Sequence, residues 1–319
     1  MPVDPQCQAL LDAAAAAGAP FAHDDYRAIR AAYAATTPSY RHATEPLAAV
    51  DDRTFAGPAC AVPVRIYRPT TASSSPAPCV VYFHGGGWVV GDLDSHDHLC
   101  RYLAHGAGAV VVAVDYRLAP EHPFPAPLDD CIAAVHWVAD NAVELDIDPQ
   151  RLALGGDSAG GNLAAATAIA LRDGKGPRAL VQLLIYPAVD FTANNDSLRD
   201  NAEGYLLTRS ALDLFTRLYL PDEATRSDPR ASPQLRNRHT DLPRAFIQTA
   251  EYDPLRDEAR DYAQTLAAAG CPVEYKYYPG MVHGFARMGG KVDMALTALD
   301  DACGVMREAF NRKEHPGPV

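Results

Sequence analysis

The chain has 319 residues, 48% hydrophobic and 21% charged, which are the proportions of a globular protein with material for a sizeable core. Its 28 basic and 40 acidic residues give a formal charge of −12, which repels nucleic-acid backbones and anionic membrane surfaces, and no local basic patch offsets it. Seven cysteines, an odd number without Cys-x-x-Cys spacing, argue against a disulfide framework and a zinc site and fit a reducing cytoplasm.

The N-terminus carries Asp4 and no basic cluster before the alanine run at 13–17, so it does not read as a signal peptide. No stretch approaches the roughly twenty apolar residues that span a bilayer. Two short helices are predicted, Pro5 to Ala17 and His23 to Ala35, separated by Gly18-Ala19-Pro20. Leu10, Leu11, Tyr26, Ile29 and Tyr33 give them an apolar side that suits either the main core or a lid. A turn is expected at Thr36-Thr37-Pro38, and alternation then predicts a half-buried strand over 61–67, with Pro63 suggesting a sheet edge.

Two continuous apolar runs follow, Cys79 to Phe83 and Ala109 to Val114, as expected of strands covered on both faces in a parallel sheet. A helix from about His96 to Ala104 lies between them, and another is predicted over Pro127 to Leu145. Next come a strand entering Gly156-Asp157-Ser158-Ala159-Gly160, a small-residue helix to Leu171, and a strand from Leu180 to Tyr186. Two more strand-helix units are predicted: Ala245 to Ala250 with Leu255 to Ala269, and Val273 to Tyr278 with Val292 to Phe310. This alternation predicts a mostly parallel sheet wrapped by helices. The rhythm fails between Phe191 and Pro243, where only Ser210 to Tyr219 is amphipathic. An insertion after a strand is where lids and substrate loops are found.

Gly156-Asp157-Ser158-Ala159-Gly160 has the strand-turn-helix context that Gly-x-Ser-x-Gly needs to form a nucleophile elbow. A serine so placed requires a base, and the base an orienting acid, in the chain order serine, acid, histidine on such a sheet. Three histidines follow Ser158. His239 and His315 sit in polar surroundings and read as solvated surface residues, whereas His283 follows the last strand between Gly280 and Gly284. His283 is therefore the expected base; the bland alternative is a loop histidine packed under Phe285. For the acid, Asp253 is favoured by its place just after a strand, with Asp190 as the competitor and helix capping as its ordinary role. Asp257 and Glu258 are placed in the next helix's first turns, where the helix dipole alone favours carboxylates. Finally, the glycines of Phe83-His84-Gly85-Gly86-Gly87-Trp88 could offer amides to an oxyanion, together with Ala159, unless they are only a flexible turn.

Taken together, His84 to Gly87, Asp115 to Glu121, Gly156 to Gly161, Asp253-Pro254-Leu255 and His283-Gly284-Phe285 resemble the hormone-sensitive-lipase-like family of α/β-hydrolases, the bacterial family IV esterases. The similarity runs from about Val64 to the last helix. It implies a triad of Ser158, Asp253 and His283 and an oxyanion hole of Gly85, Gly86 and Ala159. It also implies a supporting role for His84, a structural one for Asp115 to Glu121, and a cap made of residues 1–50 and 191–243 over a core of 51–190 and 244–319. The expected activity is serine carboxylesterase, with short to medium acyl chains guessed from the resemblance; no metal or organic cofactor is needed, and no binding motif for one is present. The same machinery could cleave a lactone, carbamate or activated amide, and a non-catalytic ligand receptor is the rival of another class. Trp88, Tyr186, Leu206 and Phe285 could wall the pocket or be ordinary core. An exposed last strand could pair two copies into a homodimer.

Overall fold

The structure, a computed structural model, describes residues 2–17, 25–44, 46–72 and 74–312. Its strands are β1 (Leu47–Ala56), β2 (Ala61–Pro69), β3 (Ala77–Phe83), β4 (Val110–Val114), β5 (Ile147–Asp157), β6 (Ala179–Ile185), β7 (Arg244–Tyr252) and β8 (Val273–Val282). They form one sheet in the order β1-β2-β4-β3-β5-β6-β7-β8. β1 and β2 run antiparallel to their neighbours, and β3 to β8 are parallel.

Strand periodicity sorts the core into two layers. In β3, Val81 and Phe83 face one apolar cluster while Val80 and Tyr82 face the other. The first layer is closed by α4 (Ala126–Asp140), α5 (Ala159–Gly174) and α8 (Arg256–Ala268), the second by α3 (Asp97–Ala107) and α9 (Asp293–Asn311). Because β3 and β4 are buried along their whole length, they must be apolar at every position rather than at alternate ones. Each such valine stabilises the fold by about 1.5–3 kcal/mol relative to leaving it in water.

Departures from expectation lie mostly before β3. β1 lacks an apolar rhythm and was not anticipated; it takes the sheet edge. β2 therefore lies inside the sheet despite Pro63. The Pro63 carbonyl accepts the Asp115 amide at 3.0 Å, so its missing donor faces the point where β4 has ended. α2 (Tyr26–Tyr40) runs through the predicted turn and contains Pro38. There Thr36 and Ser39 hydroxyls donate to the Tyr33 and Thr36 carbonyls, each at 2.7 Å, bonding oxygens in the distorted final turn. α1 (Pro5–Ala17) has the predicted bounds. The expected break at Gly18 to Pro20 and the start at His23 lie outside the described residues. α4 ends at Asp140, five residues before the predicted Leu145. Within 191–243 lie the single turn α6 (Asp196–Asp200) and α7 (Arg209–Tyr219). The Thr208 hydroxyl caps α7 by accepting the Ala211 amide at 3.2 Å.

His239 is not a surface residue: it is buried, its Nε2 lies 2.9 Å from the Pro233 carbonyl, and its ring meets Tyr262 edge-on. The polar neighbours that suggested solvent sit on a turn whose imidazole points inward. His315 lies outside the described residues.

Candidate active site

The loops leaving the ends of β3, β5, β7 and β8 converge at one end of the sheet. Ser158 stands between β5 and α5 with φ 56° and ψ −117°, a left-handed conformation that costs a non-glycine residue on the order of 1–3 kcal/mol. The strain is held by bonds on both sides: the Ser158 amide donates to the Ile185 carbonyl at 2.8 Å, and its carbonyl accepts the Asn162 amide at 3.0 Å. Close approach explains the flanking glycine, since a Cβ on Gly160 would lie 1.9 Å from the Phe83 carbonyl oxygen.

His283 Nε2 lies 2.9 Å from Ser158 Oγ, and His283 Nδ1 lies 2.7 Å from Asp253 Oδ2. Asp253 is fully buried, and its second oxygen accepts the Leu255 amide at 2.8 Å, so it also caps the entry to α8. Asp190 turns away, using its carboxylate to accept the amide and hydroxyl of Thr192 at 2.8 and 2.6 Å. The imidazole is thus brought to Asp253 and not to the competitor.

Around the glycine loop the arrangement differs from expectation at one position. The Gly85 amide donates to Asp157 Oδ1 at 2.9 Å, so it is already committed and is not available to an oxyanion. Gly86 and Gly87, not Gly85, line the cavity beside Ser158. Asp157 is buried; it also accepts the Tyr82 hydroxyl at 2.9 Å, and His96 Nε2 lies 3.3 Å away. Burial opposes its charge, but His96 and the hydrogen bonds from His96 and Tyr82 outweigh burial and hold its carboxyl down at about 2. His84 Nδ1 contacts the Gly85 carbonyl at 2.8 Å, and the ring stacks on Tyr116 at 4.3 Å. Burial, then the neighbouring His96, lower its pKa to about 4, so it braces the loop as a neutral ring. Beyond it, the expected structural stretch carries Arg117, which pairs with Asp130 through two bonds of 2.8 Å.

A family profile described as alpha/beta hydrolase fold matches residues 80–287, which hold the elbow, the glycine loop and the His283 loop. The chain belongs to this family. Carboxylesterase NlhH of Mycobacterium tuberculosis is 44% identical over 253 residues, covering 78% of this chain and 79% of its own. The ethyl acetate hydrolase of Pseudomonas putida is 43% identical over 242 residues, covering 75% of this chain and 76% of its own. An ester hydrolase, EH1AB1, from the metagenome of Lake Arreo, solved with a bipyridine phosphonate derivative, superposes with a TM-score of 0.93 at 40% identity and covers 97% of this chain and 100% of its own. The hormone-sensitive-lipase-like resemblance is borne out.

In this α/β-hydrolase Ser158 and His283 open into a cavity of about 180 Å³. Its walls come from α2, the glycine loop, residues 186–216 and the His283 loop. Trp88, Tyr186 and Leu206 line it as expected. Trp88 is fixed by stacking on Tyr219 at 4.5 Å, with the rings within 1° of parallel. Phe285 does not line it: the ring is fully buried against Tyr186 and Tyr278, because the turn after His283 points it into the core. Among the lining residues that escaped sequence reasoning, two are charged and buried. Glu258, expected to serve only the helix dipole, is buried beneath the Val189 and Asp190 amides, which donate to it at 2.7 and 3.3 Å. Burial pushes its carboxyl up to about 8. Arg287, the fourth residue after His283, is buried as well.

Proposed function

We propose that the chain is a serine carboxylesterase acting on short- to medium-chain carboxylic esters. The observation that carries this reading is the continuous hydrogen-bonded line from Ser158 Oγ through His283 to Asp253, with contacts of 2.9 and 2.7 Å. Ser158 attacks the ester carbonyl while His283 Nε2 takes its proton, and buried Asp253 holds the Nδ1 proton and stabilises the imidazolium. The oxyanion is received by the Gly86, Gly87 and Ala159 amides. Gly85 serves indirectly, its bond to Asp157 pinning the start of the loop. His283 then protonates the departing alcohol, and water activated by the same imidazole releases the acid. The names of the relatives, a carboxylesterase and an ethyl acetate hydrolase, support the substrate class.

The helix α2 and the stretch 191–243 form the cap, a reading supported by the pocket walls that Tyr33, Tyr40, Leu206 and Phe215 supply; Leu47 to Val50, expected in the cap, belong instead to β1 and to the sheet. Among the described residues no helix is long and apolar enough to cross a membrane. Cysteine usage supports a cytoplasmic setting. The β8 edge, where Tyr275 and Tyr277 are exposed, is the face on which two copies would pair. The test is hydrolysis of p-nitrophenyl esters of increasing acyl length beside Ser158→Ala. Serine-dependent turnover that falls with chain length is expected; none above the Ser158→Ala background overturns the reading.

A further inference from the structure

The Arg287 guanidinium is the one charged group lining the pocket, among the described residues, that no other charge or hydrogen bond answers. Only 6% of the residue is exposed, and Nη1 is buried without a hydrogen-bond partner. It lies 4.1 Å over the Tyr33 ring and 5.0 Å over the Tyr40 ring, both on α2. The other charges around the cavity are engaged. Arg209 pairs with Asp213 at 2.9 Å, Asp190 is bonded to Thr192, Asp157 is held by Gly85, Tyr82 and His96, and Glu258 accepts two amides. Burying an unpaired cation is costly, and the two tyrosine faces supply no hydrogen-bond acceptor for the guanidinium fork. The deficit is removed if an anion enters the pocket with the substrate. A guanidinium fork matches a carboxylate geometrically, and the bond is charge-assisted in a dry site.

We propose that Arg287 recognises a free carboxylate on the substrate, and that the preferred esters are half-esters of short dicarboxylic acids. This rests on the esterase reading of the same pocket. The formal charge of −12 disfavours anions at long range, so a preference for a half-ester would report a local site rather than general attraction. Arg287 closes the short turn Phe285–Arg287, which begins two residues after the base, and it lines the same pocket as Ser158.

The test compares kcat/KM for monomethyl succinate, glutarate and adipate with methyl butyrate, pentanoate and hexanoate, the neutral esters of equal length, by titrating released acid. The wild-type protein is expected to favour at least one half-ester over its neutral partner. In Arg287→Met the ratio should fall roughly ten- to a hundredfold, the size of a lost bond to a charged group, and Arg287→Lys should restore part of it. The proposal is overturned if half-esters are poorer at every length. It is also overturned if Arg287→Met lowers both esters by the same factor, which is what a clip between Tyr33 and Tyr40 would do. Should Arg287→Met fail to fold, binding to the Ser158→Ala protein decides: if none of the three half-esters binds tighter than its neutral partner, the proposal is overturned. Absence of serine-dependent turnover on any neutral p-nitrophenyl ester would instead remove the esterase reading itself.

Discussion

Asp253→Asn should disable the base while leaving the fold intact, and the reason lies in the second oxygen of Asp253. Oδ1 accepts the Leu255 amide at 2.8 Å and Oδ2 meets His283 Nδ1 at 2.7 Å, in a fully buried position. An asparagine there must keep its carbonyl oxygen on the Leu255 amide, because two donors facing each other in a dry site would cost about 1–3 kcal/mol. Its NH2 then points at Nδ1, which is forced to accept. The imidazole proton moves to Nε2, the atom that faces Ser158 Oγ at 2.9 Å, and a protonated Nε2 cannot take the serine proton. An inverted tautomer of this kind lowers turnover by roughly 10⁴-fold, about 5 kcal/mol in the barrier, with KM little changed. The assay is kcat and KM on p-nitrophenyl acetate, with thermal unfolding of the same preparation as a fold check. Asp190→Asn, which disturbs only the Thr192 turn, should stay within about twofold, the scale of an exposed contact. Near-normal turnover in Asp253→Asn, together with a collapse in Asp190→Asn, would refute the reasoning.

Glu258 supplies a pH prediction. Burial, with Asp190 and Asp253 nearby, raises its folded pKa from 4.5 to about 8, against the lowering effect of the two amides. A raised folded pKa means that the protonated form stabilises the fold: the contribution is full below about pH 4.5 and is lost as pH rises through about 8. Glu258→Gln should therefore melt close to wild type near pH 5 and above it near pH 9; a difference in Tm that does not grow with pH contradicts the assignment. Gly87→Ala would place a Cβ 2.5 Å from the Phe215 ring at φ +58° and shift the oxyanion loop. Turnover should drop by roughly a hundredfold, the scale of one lost oxyanion donor, and a wild-type kcat would show that the loop does not serve the reaction. Phe285→Ala should cost about 3–5 kcal/mol in denaturant unfolding, as for a buried ring. A loss below about 1 kcal/mol with an altered acyl-length profile would return the ring to the pocket wall.

The parallel half of the sheet was legible because being covered on both faces leaves a local mark. Val80 to Phe83 and Val110 to Val114 must be apolar throughout, and each is bounded by turn residues. β1 left no such mark: only Phe55 of its ten residues is buried, and the strand exists because β2 offers it a ladder. Edge strands draw on backbone pairing that no side-chain rhythm records. In the same way, Pro38 reads as a helix stop on local grounds, yet α2 carries it, and Tyr33 and Tyr40, on either side, both pack against Arg287 across the chain. A contact made at a separation of some 250 residues is invisible to a window of fifteen.

The site divides along the same line. Ser158, Asp253 and His283, which the structure brings into one hydrogen-bonded line, could be singled out because each sits just after a strand and chain order restricts the choice. Which of the three glycine amides is already bonded could not be read from the sequence, since Gly85, Gly86 and Gly87 are chemically identical and only their surroundings tell them apart. What tells them apart is the side chain of Asp157, which reaches from the elbow to take the Gly85 amide at 2.9 Å. The residue before the serine therefore has a task of its own: it holds the glycine loop against the elbow, so that the next two amides stand beside Ser158. Arg287 was passed over for a related reason. A charged residue in a glycine-flanked turn reads as solvated, and its burial becomes apparent only when α2 is laid across it. Local pattern identifies groups that must react, whereas groups that position or select depend on which distant element covers them. Arg287 belongs to the second kind, and the half-ester comparison asks whether its burial selects a substrate or only secures a helix.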